Sequence, residues 1–181
     1  MTLPSSGLIE LRLSHAGQLF NTMDPSPFHE RDLDHDAEEF IVGWAREHGS
    51  LSELKVQVVL PGPADPVVAA QIAESIRHYF DYRSRMTGRD LQELFREGRT
   101  TLAIGLVFLA GTLALRSLVP ADHPWWSWIR EGLTICGWVG LWKPIDIMLY
   151  RWWPLRRQQG LQRRLSKAVV VVVSEAVTTP R

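Results

Sequence analysis

Residues 19–39 read LFNTMDPSPFHERDLDHDAEE and hold the densest group of side chains able to do chemistry. Asp24, His29, Glu30, Asp32, Asp34, His35, Asp36, Glu38 and Glu39 supply carboxylates and imidazoles, the groups that ligate divalent cations. The spacing fits neither a calcium loop, which needs a central glycine and a terminal glutamate, nor a zinc helix motif. Asp24-Pro25 and Ser26-Pro27 set turns or extended backbone. The acids beyond them stand at the start of an expected helix, where negative charge is favourable without any metal. Turn and cap chemistry therefore accounts for the cluster, and no metal or other cofactor is assigned. Phe20 and Phe28 are expected to pin this loop to a core. Asp24, Phe28, His29, Arg31, Asp32 and Asp34 form the candidate binding surface, with no catalytic residue among them.

A second pair of charged residues lies in an apolar setting. Lys143 and Asp146 sit in GLTICGWVGLWKPIDIMLY, residues 132–150. Ionisable groups inside a membrane segment are candidate ion or proton sites. Both stand close to the expected inner boundary, however, so pairing and snorkelling suffice to explain them. Arg99 with Asp146, and Arg116 with Glu131, are the expected partners by depth. His15, His48, His78 and His123 are isolated along the chain. There is no glycine-rich phosphate loop, nucleophile elbow or paired acidic motif. Cys136 stands alone, so no disulfide or thiolate metal site can form within one chain.

The elements that must position these residues follow from periodicity. Leu8–Leu13 and Leu54–Leu60 alternate like half-buried strands. Asp36–His48 gathers Ala37, Phe40, Ile41, Trp44 and Ala45 on one helical face, with Asp34 or Asp36 as its cap. Asp65-Pro66 is a helix start, an N-cap followed by proline at the first position. Ala69, Ile72, Ala73, Ile76, Tyr79 and Phe80 continue it as an apolar stripe. Thr87-Gly88-Arg89-Asp90 predicts a helix restart through a capping box. Ala168–Val173 is apolar on both faces and predicts a central strand covered on both sides.

Two segments approach membrane-spanning length, Thr100–Val119 and Gly132–Tyr150. A bilayer core of about 30 Å takes roughly 20 helical residues to cross. Lys and Arg crowd the outer ends of this pair, and the connecting loop Pro120–Trp128 has none. The positive-inside rule then places both termini in the cytoplasm. Trp125, Trp126 and Trp128 mark one boundary; Tyr150, Trp152 and Trp153 mark the other. Pro144 predicts a kink. Ala110-xxx-Ala114 and several glycines suit close helix packing.

The expected organisation is a cytoplasmic α/β domain over 1–95, a transmembrane helical hairpin over 96–153 (about 100–119 and 130–150), and a basic tail over 154–181 returning a strand to the domain. The fold class is α+β with a membrane part, a small α/β sandwich into which a two-helix hairpin is inserted. The 181 residues carry zero net formal charge, so no global field attracts nucleic acid. The basic residues beside the hairpin suit anionic lipid headgroups instead. The N-terminus lacks the pattern of a secretory signal, so the domain is expected to stay on the side where it is made.

The segments DPSPFHERDLD (24–34) and WKPIDIMLYRWWP (142–154) resemble small uncharacterised bacterial two-helix inner-membrane proteins. That resemblance implies a bacterial inner-membrane setting and no particular activity. Three functional readings remain: a membrane-anchored non-enzymatic module that binds a membrane-protein partner or forms a homo-oligomer; a subunit of an oligomeric channel or transporter; and a metal-dependent membrane enzyme.

Overall fold

The computed structural model describes residues 7–21, 31–48, 53–62, 65–120 and 122–175. The chain is a mixed α+β protein that divides into two units. One comprises residues 1–86 and 158–181, the other residues 87–157.

The first unit is built on a parallel sheet of β1 (Gly7–Arg12), β2 (Leu54–Pro61) and β3 (Val169–Glu175), in the order β1-β2-β3. Register pairs Ile9 with Val56 and Val56 with Val170. Period-2 alternation sends Ile9, Leu11, Val56 and Val58 to the buried face and Leu8, Glu10, Arg12 and Lys55 to the open one. Three helices contribute to the core on that buried face. Helix α1 (His35–Glu47) contributes Ala37, Ile41 and Ala45, and α2 (Pro66–Leu118) contributes Ile72, Ile76, Tyr79 and Phe80. Leu165 adds the end of α5 (Trp152–Leu165). Burying a large aliphatic or aromatic side chain contributes about 1.5–3 kcal/mol, so this one-sided cluster is the main stabilising term of the unit.

Both expected caps form. The Asp34 carboxylate accepts from the Asp36 amide at 3.0 Å, and Asp65 accepts from the Val67 amide at 2.9 Å. Two expectations fail. Helix α2 runs on through Thr87-Gly88-Arg89-Asp90 with no restart. No proline interrupts it after Pro66, and a single helical glycine costs only about 1 kcal/mol. Strand β3 is an edge strand rather than a central one. Strand order follows chain order and leaves β3 paired with β2 alone, and Val169, Val171 and Val173, in register with Lys55, Gln57 and Val59 on the open face, are 51%, 46% and 37% exposed.

In the second unit, α2 is long and apolar enough to cross a membrane. The second apolar segment is broken instead of forming one helix. Helix α3 (Pro124–Val139) begins with proline at its first turn and ends in a turn at Gly140-Leu141. Then come α4 (Trp142–Asp146), a π-helical turn (Ile147–Arg151) and the first turns of α5. The break lies one turn before Pro144 for a mechanical reason. A helical proline removes the bond to the carbonyl four residues back, here Gly140, and its ring crowds that carbonyl. The Leu141 amide accordingly bonds the Trp138 carbonyl at 3.0 Å, a tighter i→i−3 closure.

Candidate functional site

The acidic segment enters the fold through a short neck. The Asn21 amide donates to the Asp32 carbonyl and the Asp34 amide to the Leu19 carbonyl, both at 2.9 Å, and Phe20 bridges Leu33. Leu19, Phe20 and Leu33 are buried in the core, so Phe20 pins this neck as expected. Asp24, Phe28 and His29 lie outside the described residues.

A cavity of about 760 Å³ opens beside the neck, at the carboxyl end of β1. Glu10, Arg12, His15, Gln18, Asp34 and Phe40 are among the residues lining it. Open parallel sheets bind ligands outside the carboxyl ends of their strands, at a point where strand order reverses. The order β1-β2-β3 has no reversal, and the polar groups here are largely committed to one another. Glu10 pairs with Arg12 at 2.7 Å, the Gln18 side-chain oxygen accepts from the Ser14 amide at 2.8 Å, and Asp34 caps α1. The lining also carries the Asp36 carboxylate and the His15 imidazole.

The strongest electrostatic feature of this unit joins α1 to α2. The Tyr79 hydroxyl donates to Glu38 Oε2 at 2.7 Å. Arg83 donates to Glu38 Oε1 from Nε at 3.1 Å and from a terminal nitrogen at 3.0 Å. Asp32 lies near enough to act on both Tyr79 and Arg83. Burial, and next the bond to Glu38, push the Tyr79 hydroxyl well above the usual tyrosine range. Burial opposes the charge on Arg83, but the bond to Glu38 with its neighbouring negative charges outweighs that and raises it. A smaller cavity of about 340 Å³ adjoins the clasp, lined by His35, Arg46, Gln158 and Gln162 among others. The signal for the clasp was divided in the sequence. Glu38 belonged to the acidic run, Tyr79 to the apolar stripe and Arg83 to the basic flank, and only the fold brings them together.

The second unit places the other two candidates. Lys143 Nζ pairs with Glu97 Oε1 at 3.2 Å. Asp146 is half-buried, and among the described residues no ion pair joins it to Arg99, nor Arg116 to Glu131. The Arg99–Asp146 pairing assumed one straight second helix, and the turn at Gly140-Leu141 shifts Asp146; Glu131 lies before that turn, and nothing in the structure explains the missing Arg116 pair. Neither Lys143 nor Asp146 shares a unit with Asp32 or Asp34.

Close packing in this unit also differs in detail from the sequence reading. A Cβ at Gly105 would lie 2.8 Å from the Gly140 carbonyl oxygen, and one at Gly98 would lie 3.0 Å from the Ile147 side chain. Gly137 faces Thr112 and Leu109. Ala110 and Ala114, the expected contact pair, are exposed. Among the described residues no group of three or more His, Cys, Asp and Glu could hold a metal ion. In comparisons with protein-family models, curated proteins and solved structures, nothing matches the chain.

Proposed function

We propose that the chain is a membrane-anchored, non-enzymatic module whose cytoplasmic α/β unit binds a partner or assembles with itself. Residues 87–157 form its two-helix anchor in this reading. The observation that carries it is the exposure of apolar surface. Only 11% of the most apolar eighteen-residue stretch of α2 is buried, although a core helix of that character would be covered. Ile104 and Val107 on α2, and Trp128, Trp138 and Val139 on α3, also stand exposed. A continuous apolar surface of this kind requires a nonaqueous neighbour, and bilayer hydrocarbon supplies one along both helices.

The charge pattern supports a bacterial inner membrane with both termini in the cytoplasm. Arg156 lies over the Trp152 ring at 5.8 Å and Arg157 over Trp153 at 5.9 Å. Such pairs suit an interface where rings meet anionic headgroups. The α/β unit, with its self-satisfied polar groups, is read as the interaction module. Expressed in bacteria, the full chain should sediment with membranes, resist an alkaline carbonate wash and require detergent for release. Recovery of the protein in the carbonate supernatant would overturn the anchor.

A further inference from the structure

We propose that the exposed side of α2 holds one anionic phospholipid, its phosphate between Arg96 and Arg99 and its acyl chains along Ala103, Leu106 and Ala110. This rests on the reading of residues 87–157 as a membrane anchor, and it names a lipid and the groove that holds it.

Within the second unit, α2 has two sides of opposite character. Gly98 lies on the packed side against the Ile147 side chain, and Gly105 lies there against the Gly140 backbone. Thr112, seven positions further on, meets Gly137 on the same side. Consecutive helical residues turn by about 100°, so the position two before each of these falls about 200° round, on the far side. Those positions are Arg96, Ala103 and Ala110, and all three are exposed. Steps of three and four residues join them into one exposed stripe that takes in Gln92, Arg99 and Leu106 as well.

The stripe changes chemistry at Thr100. Before it, Arg89, Gln92, Glu93, Phe95, Arg96 and Arg99 line a cavity of about 550 Å³. Three arginines stand there against one glutamate, which leaves two positive charges in excess. Glu93 offsets little of this, since it reaches Arg96 only at 3.9 Å. Arg99 makes no ion pair with any described residue, and Glu97, the acid closest to it in sequence, is taken by Lys143 at 3.2 Å. From Thr100 to Leu115 the chain carries no charge at all.

A ligand that matches the whole stripe is anionic at one end and apolar along the rest. An anionic phospholipid has that form. Arg96 and Arg99 are about 4.5 Å apart along the helix axis on one side, so both guanidinium groups can reach a single phosphodiester. Gln92, about one turn beyond Arg96, offers its amide to the headgroup outside that phosphate. A zwitterionic headgroup would instead bring its own cation toward Arg89, so the groove selects against it. The depth also fits, because in the proposed anchor Arg99 stands at the cytoplasmic boundary, where phosphates lie. By contrast, Arg156 and Arg157 at that boundary are stacked over Trp152 and Trp153. They supply a control of equal charge outside the groove.

Native mass spectrometry of the full chain, released from bacterial membranes in a mild uncharged detergent, tests this. The wild type should carry one retained phosphatidylglycerol or another anionic phospholipid per chain. Arg96→Gln with Arg99→Gln should lower that retention at least several-fold, whereas Arg156→Gln with Arg157→Gln should leave it near the wild-type level. Phosphatidylglycerol added to delipidated protein should rebind, and phosphatidylcholine should not. Ala103→Trp with Ala110→Trp, which changes no charge and lies on the exposed side, should weaken that rebinding by obstructing the acyl chains. Glycerol phosphate, which has the phosphate without the chains, should bind at least tenfold more weakly than the lipid.

Equal loss in the two arginine pairs would show diffuse attraction and overturn the site. Glycerol phosphate binding as tightly as the lipid would overturn the choice of a lipid. A protein bound at this stripe in place of lipid would overturn the occupant. A carbonate wash of the same membranes separates the two readings. A wild type that stays in the membrane but retains no anionic lipid overturns this proposal alone, and one released by the wash overturns the anchor and the lipid site together.

Discussion

Glu38 accepts bonds from Tyr79 and Arg83, and this one carboxylate ties the start of α1 to the first third of α2. Hydrogen bonds to a charged acceptor contribute about 1.5–3 kcal/mol each when buried, less where a partner is exposed. Tyr79 is the more informative partner because its proton is held by burial and by Glu38. A free tyrosine ionises near pH 10. Above that pH the unfolded chain loses the Tyr79 proton while the folded chain keeps it. The contribution is thus complete below pH 10 and declines as pH rises toward the higher folded value. The slope is about 1.4 kcal/mol per pH unit for one such group. Urea melts of the detergent-solubilised chain between pH 9 and 11.5 should show this loss in the wild type. The loss should be smaller in Tyr79→Phe, whose stability at pH 8 should lie about 1.5 kcal/mol lower. Absorbance titration offers a check on the three tyrosines: the substitution should remove the last to ionise. Removal of an earlier step would contradict the raised value.

At the scale of elements, packing in the second unit turns on two glycines in opposite situations. A Cβ at Gly105 would collide with the Gly140 backbone, whereas one at Gly111 meets nothing within 4 Å. Gly105→Ala should destabilise by about 1–3 kcal/mol through forced separation of α2 from α3. Gly111→Ala should stabilise by up to about 1 kcal/mol from helix propensity alone. Thermal melts in one detergent would compare them, and equal shifts would rule out the contact. The sequence showed which residues were small but not which would meet, because that depends on where α3 ends. Pro144 signalled a distortion, yet its effect falls at Gly140-Leu141, where the displaced carbonyl lies. The strands and caps were legible because alternation and Asp-led helix starts are local patterns. The placement of β3 was not: five valines show strand propensity, but only strand order decides between a centre and an edge. The Glu38 clasp was illegible for a related reason, joining residues more than forty positions apart.

For the whole molecule, the proposed membrane reading makes a directional prediction that follows from charge alone. Arg83, Arg85, Arg89, Arg96 and Arg99 precede the apolar part of α2, and Arg151, Arg156, Arg157, Arg163, Arg164 and Lys167 follow α4. Between the two apolar segments, residues 120–128 carry no Lys or Arg. Basic residues are retained on the cytoplasmic side, where anionic headgroups add about 1 kcal/mol for each one near the surface. The charge-free run Thr100–Leu115 and the sixteen residues of α3 each span about 24 Å at the helical rise. That is shorter than a bilayer core of about 30 Å, so snorkelling of Arg99 and Arg116 and the tryptophans of α3 would complete the fit. In a Cys136→Ser background, a membrane-impermeant maleimide added to intact spheroplasts should label Ser127→Cys. It should leave Ser5→Cys and Ser174→Cys unlabelled until the membrane is opened. Labelling of all three before lysis would argue against an inserted hairpin, and the reversed pattern would invert the topology.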